Sequence, residues 1–324
     1  MIMSQEIFNI ISDMTDSLSP SQLRRLEDVL VWRLSEEEKR KIEHSNEEYL
    51  KMFLASKKLE GCSPKTISCY ERIISNMFST LDMPMIKITT DAIRKYMSNY
   101  QEQKKCQNAT LDNIRRVLSG FFIWLEEEDY VIKSPVRKIH KVKTVKKIKE
   151  PLSDESVEKF RDCCTEIRDL AIADFLLATG VRVGELVTLN REDINFEERK
   201  CVVLGKGAKE REVYFDIKSK VHLMQYFESR TDMNPALFVS LRFPHNRLTV
   251  SGIETRIQKI GEAAKIERVH PHKFRRTMAT KALGKGMPIE QVQVLLGHQQ
   301  IETTLRYAIV NQQNVQIAHR KYIG

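Results

Sequence analysis

Apolar residues recur at helical spacing through most of the chain, and the breaks in that pattern divide it into parts. Two helical stretches are predicted in residues 1–43, the second being PSQLRRLEDVLVWRL, where Leu23, Leu26, Val29, Leu30 and Leu34 return every three or four positions. This reads as a helical N-terminal extension that packs on something. Ser45 followed by Glu48 is a capping-box pattern, and the helix it opens is predicted to stop at Gly61. Ser63 caps the next helix with Pro64 at its first position, and Ile67, Tyr70, Ile73, Ile74, Met77 and Phe78 form its apolar stripe. Further helices are predicted around Ile93, Tyr96 and Met97, and around Leu111, Ile114, Val117, Leu118, Phe121, Phe122 and Leu125. Residues 44–136 therefore read as a compact all-helical domain.

Periodicity lapses in residues 137–151, where RKIHKVKTVKKIK ends at Pro151. Two readings of this basic linker stand: a solvated connection, or a tether that lays Lys141, Lys143, Lys146 and Lys147 along phosphates. From Ser153 the helical pattern resumes with one interruption. CVVL and EVYF are β-prone runs joined by GKGAKER, a predicted hairpin with a glycine-rich turn. Helices are then expected near 249–263, 272–284, 288–296 and 300–309. A last amphipathic stretch with Val315, Ala318 and Tyr322 falls in residues 311–324. The second domain, 152–310, is thus mainly α with a small antiparallel sheet.

Composition narrows the class of partner. The 324 residues are 41% apolar and 30% charged, ordinary for a globular protein. The formal charge of +9 points towards a polyanion, because clustered Lys and Arg displace counterions from nucleic acid. No apolar run approaches the roughly 20 residues of a membrane helix, and the acidic, amphipathic N-terminus is unlike a secretion signal. A cytoplasmic, nucleoid-associated protein with no membrane partner is expected. Cys62, Cys69, Cys106, Cys163, Cys164 and Cys201 lack zinc spacing, so reduced, mostly buried thiols are expected, with no metal and no cofactor.

Four stretches carry candidate chemistry. In ATGVRVGELVTL, Gly180 ends one helix and Arg182 starts the next, where a guanidinium can grip two phosphate oxygens; Glu185 at i+3 can orient it, or the two form a plain surface pair. Lys206 sits at the predicted hairpin tip, where it serves solubility or donates a proton to a leaving alkoxide. Lys209 and Arg211 beside it are candidate phosphate contacts. In VHPHKFRRTMAT, His272 and Arg275 project from one helix face, suited to acid–base work beside a phosphate, while His270 and Arg276 lie at less favourable angles. In LLGHQQIETTLRYA, Gly297 stops a helix, His298 begins a connection, and Tyr307 ends a short helix. A phenol is a weak nucleophile near neutral pH and needs a base and an electropositive pocket.

These four motifs, in order and spacing, resemble the catalytic domain of the tyrosine recombinases, the phage integrases and chromosome-dimer resolvases. The segment SPKTISCYERIISNMF is similar to the family's helical, SAM-like core-binding domain, so the resemblance covers residues 45–310. It implies that the core-binding domain clamps duplex DNA, that Tyr307 is the nucleophile, and that Arg182 and Arg275 hold the non-bridging oxygens. It further implies that Lys206 is the general acid for the 5′-oxygen, that His272 is an acid–base residue, that His298 hydrogen-bonds the phosphate, and that Glu185 supports Arg182. The implied reaction is site-specific recombination through a 3′-phosphotyrosine and a Holliday junction, by a homotetramer on double-stranded DNA, with an excisionase or DNA-bending accessory protein as a candidate partner.

Integration and excision of a mobile element is the role expected, with resolution of chromosome or plasmid dimers as the alternative. Two departures lead there. Arg276 stands where many members have a second His, and the 43-residue extension has no counterpart in the simplest members, while its lack of the β-rich look of an arm-binding domain argues against control by accessory arm sites. A type IB topoisomerase and a catalytically silent DNA-binding regulator on the same scaffold are the rival readings. Within the family the C-terminal segment docks on a neighbouring subunit, which NVQIAHRKYI suits.

Overall fold

A computed structural model describes residues 10–15, 17–40, 44–144, 150–205, 210–308, 320 and 323, with the backbone alone for 31–40. The chain divides into two compact units, Met1–Lys146 and Lys147–Gly324. Both are helical, and among the described residues the only ladder is one two-stranded antiparallel sheet in the second unit. The mainly α architecture with a small sheet is the one the periodicity predicts. Among the described residues no helix is long and apolar enough to cross a membrane.

The first unit holds α1 (Pro20–Arg40), α2 (Asn46–Leu59), α3 (Pro64–Leu81), α4 (Thr90–Lys104) and α5 (Asn108–Glu127). Local chemistry sets the helix starts. Ser45 and Glu48 exchange the two hydrogen bonds of a capping box, and the Ser63 hydroxyl accepts from the Thr66 amide ahead of Pro64. Apolar stripes of α2 to α5 meet around Phe53, Phe121, Phe122 and Trp124, whose rings sit mostly edge to face. Helix α1 is different: no side chain described on it is buried, and Val29 is exposed. The expected basic linker starts as an ordered strap. Ile139 and Val142 pack on the helical core, the Val142 amide donates to Asp112 (3.1 Å), and Lys141 and Lys143 point outwards. Lys146 and Lys147 lie outside the described residues.

The second unit holds α6 (Asp154–Asp162), α7 (Ile167–Thr179), α8 (Val183–Leu186), β1 (Lys200–Leu204), β2 (Glu210–Tyr214), α9 (Ile217–Glu228), α10 (Val250–Ala263), α11 (Pro271–Gly284), α12 (Ile289–Leu296) and α13 (Ile301–Ala308). Helix α7 is its axis, with Ala171, Ile172, Ala173, Phe175 and Leu176 all buried, and with Arg168, Asp169 and Asp174 buried beside them. The hairpin pairs Val203 with Arg211 and Cys201 with Val213. A smaller cluster of Met278, Ala279, Val292 and Leu296 joins α11 to α12, with Tyr307 of α13 packed against it. The expectation of mostly buried thiols holds for Cys201 alone. The other five cysteines are half-buried, and all six are free. The C-terminal run with Val315, Ala318 and Tyr322 lies outside the described residues.

Candidate active site

Helix ends build the site. Gly180 closes α7 in the left-handed region (φ 62°), and a Cβ there would collide with the Met278 methyl. Two residues on, Arg182 is the N-cap of α8. Its backbone N–H donates to Glu185 Oε2 (2.8 Å) and its Nη1 to Glu185 Oε1 (2.8 Å). Helix α8 is a single turn, so the dipole it can offer an anion beside Arg182 is small. The electropositive character comes from guanidiniums instead.

Arg275 projects from α11 and is 3% exposed. Its Nη1 donates to the Gly180 carbonyl (2.5 Å) and its Nη2 to the Leu296 carbonyl (2.5 Å), joining the C-terminal ends of α7 and α12. A cation satisfies such orphan carbonyls and complements both helix ends. Burial, then the neighbouring Arg182, pushes its pKa below the ordinary value, and a guanidinium remains charged at neutral pH all the same.

Arg275 also reaches His298. Nη2 lies 3.1 Å from His298 Nε2, and His298 Nδ1 lies 2.9 Å from Thr304 Oγ1. A guanidinium has no acceptor, so Nε2 must present its lone pair and Nδ1 carries the proton towards the threonine hydroxyl. His298 is therefore neutral. Burial first, then Arg275, Arg182 and Arg211, lowers its pKa to about 4. Tyr307 stacks on this imidazole, with ring centroids 6.0 Å apart and planes 26° apart. His272 stands exposed one turn before Arg275, and desolvation followed by Arg275 and Arg182 lowers its pKa as well.

Arg182, Arg275, His298 and Tyr307 thus meet in one place, with Glu185 beneath Arg182 and His272 at the rim. Lys206 and Lys209 lie outside the described residues. Arg211, expected on phosphate, is instead an internal residue. Its side chain is 9% exposed, its Nη1 and Nη2 donate to Glu185 (2.9 and 2.7 Å), and its Nε donates to the Leu295 carbonyl (3.0 Å). The physical reason is strand alternation: Arg211 shares the inward face of β2 with Val213. For Glu185, burial alone raises the pKa, but the bonds from Arg211 and from Arg182 outweigh it and the net shift is downwards. Arg276 donates to the Glu150 carbonyl (3.1 Å). Thr304, buried and bonded to His298, was not among the candidates. Its one sequence signal is its place three residues before Tyr307, on the same helix face.

The chain is similar to known proteins. The model of the phage integrase family matches residues 152–314, and that of the phage integrase N-terminal SAM-like domain matches residues 49–132. The chain is 32% identical over 290 residues to the tyrosine recombinase XerC of Oceanobacillus iheyensis, covering 84% of this chain and 95% of the relative. Two solved structures share the fold. One is the XerH site-specific recombinase bound to palindromic difH substrate as a post-cleavage complex (21% identity, TM-score 0.67, 96% of this chain and 93% of that one). The other is the Tn1549 transposon integrase in complex with circular intermediate DNA (17% identity, TM-score 0.69, 84% of this chain and 98% of that one). This chain belongs to the phage integrase family and is a tyrosine recombinase, an enzyme of DNA strand breakage and rejoining.

Proposed function

We propose that this chain is a site-specific recombinase in which Tyr307 Oη attacks a scissile phosphate held by Arg182 and Arg275. One Oη–P bond forms and one P–O5′ bond breaks, which leaves a 3′-phosphotyrosine and a 5′-oxygen that takes a proton from Lys206. His272, disfavoured as a cation by its surroundings, accepts the phenolic proton. The supporting observation is the meeting of Arg182, Arg275, His298 and Tyr307 at the joined ends of α7 and α12. His298 now gives its Nε2 lone pair to Arg275. To donate to a phosphate oxygen it must acquire a proton on Nε2, which the incoming negative charge favours.

The covalent bond conserves the phosphodiester energy, so the second strand's 5′-hydroxyl can reverse the step on a new partner. Two rounds through a Holliday junction need four sites, hence a homotetramer on double-stranded DNA in the cytoplasm. Integration and excision of a mobile element is the role we assign. The similarity to XerC at 32% identity, and to XerH over 96% of this chain, favours dimer resolution as a second reading. An excisionase or DNA-bending accessory protein is a candidate partner.

The test uses nicked suicide fragments from the flanks of the gene and from the chromosomal replication terminus, incubated with wild type and Tyr307→Phe and resolved on denaturing gels. A covalent adduct is expected with wild type alone. Flank fragments trapping the protein support the mobile-element role, and terminus fragments support resolution. An adduct that persists in Tyr307→Phe overturns the assignment of the nucleophile.

A further inference from the structure

Arg211 has no part in the chemistry proposed above, yet its side chain holds Glu185 more fully than the side chain of Arg182 does. Both of its terminal nitrogens bind the carboxylate, one to each oxygen, and its Nε is fixed by the Leu295 carbonyl. Gly297 makes room for this placement, since a Cβ there would approach Arg211 Cδ to 2.9 Å. Arg182 shares the same carboxylate through a single side-chain bond, Nη1 to Oε1. Its Nη2 has only a long contact, 3.4 Å, to the Gly297 carbonyl, and its side chain is 33% exposed.

That division of bonds has a consequence. An isolated Arg–carboxylate pair closes fork to fork with two parallel bonds, and Glu185 at i+3 is near enough to close so on Arg182. A carboxylate in that position neutralises Arg182 and fills the donor edge a phosphate would use. We propose that Arg211 is a positioning residue that occupies the two-toothed face of Glu185, so that Glu185 orients Arg182 without neutralising it and the Nη2 edge of Arg182 stays open for the scissile phosphate. The proposal rests on the reading of Arg182 as a phosphate ligand.

The experiment is single-turnover cleavage of the nicked substrate trapped in the adduct screen, at saturating protein. It compares wild type, Arg211→Gln, Arg211→Gln with Glu185→Gln, and Arg182→Ala, each checked for melting temperature and DNA affinity. Arg211→Gln is expected to lower the cleavage rate constant about tenfold or more, less than the roughly 10²–10³ lost with a donor outright. Amplitude and DNA affinity should stay unchanged. Adding Glu185→Gln should recover most of the rate, because a neutral amide cannot neutralise Arg182. On a substrate with a neutral methyl in place of one non-bridging oxygen, the gap between Arg211→Gln and wild type should shrink, whereas a merely structural defect would persist. A wild-type rate in Arg211→Gln overturns the proposal. So does a loss confined to amplitude, or a rate that stays low in a double variant with wild-type melting. Wild-type cleavage by Arg182→Ala overturns the reading of Arg182 itself, which separates the two failures.

Discussion

The two units of this chain bury different things. In the helical unit the buried set is apolar and aromatic, with Asp112 and Ser134 as its polar members, and Asp112 lies against Arg115 at 2.9 Å. In the catalytic unit Arg168, Asp169, Asp174, Glu185 and Arg275 are buried among the core side chains, each with a charged or carbonyl partner. Burying a methylene stabilises the fold, whereas burying a charge costs free energy and is tolerated only where its partners are fixed. The first unit therefore derives its order from packing. In the second, the same bonds that hold helix ends together also hold the groups proposed to meet the phosphate.

Substitutions can break this contrast. The largest stability loss is expected from Phe121→Ala, which empties the aromatic cluster at a cost of about 3–5 kcal/mol. Both tryptophans, Trp32 and Trp124, lie in the first unit, so urea unfolding followed by their fluorescence isolates it. A loss under about 1 kcal/mol would show a core that repacks freely and does not depend on those rings. Next comes Arg275→Ala, which removes a proposed phosphate donor and leaves the Gly180 and Leu296 carbonyls without their partner. Adduct formation should fall about 10²–10³-fold, and the melting temperature of the catalytic unit should fall with it. Slower cleavage with unchanged melting would separate chemistry from architecture, against the contrast drawn above.

Gly180→Ala is expected to cost about 1–3 kcal/mol, through the positive φ and the collision with Met278. It should also slow cleavage, because Arg275 holds the carbonyl of Gly180 itself and Arg182 follows two residues on. Calorimetry beside the suicide assay reads both, and a change in neither would remove the helix end from the mechanism. A last test varies pH. His298 has its pKa lowered from 6.5 to about 4, so the folded state binds fewer protons than the unfolded chain between those values. Stability of the catalytic unit should accordingly decline as pH falls from about 6.5 towards about 4, with no contribution from this group above that window. His298→Gln should flatten the decline, and an unchanged slope would assign it to other groups.

Much of this was legible before any coordinates. Ser45 with Glu48, Ser63 with Pro64, and Gly180 and Gly297 each announced a helix boundary through chemistry that acts within four residues, and the structure places the boundaries there. The order of Arg182, His272, Arg275, His298 and Tyr307 announced the candidate set because each sits in a short motif. Arg211 misled because a basic residue beside a Lys-rich turn suggests solvent and phosphate. The period of two that puts it on the face of Val213 was present and carried the opposite message. Nor was the bond between His298 and Thr304 visible, since a threonine one turn before a tyrosine is unremarkable until a ring lies beside it.

The sequence by itself determined the helices, their caps, the hairpin, the basic charge and the residues able to handle a phosphodiester, because each depends on spacing along the chain or on side-chain type. Only the tertiary structure decided how those residues share charge. Glu185 is divided between Arg182 and Arg211, the latter 26 positions away, and Arg275 bridges carbonyls 95 and 21 positions away. Such pairings follow from how buried helix ends converge, and a donor left without an acceptor there would be too costly to keep. Which guanidinium remains open to a phosphate is set by that convergence and not by the order of residues in the chain.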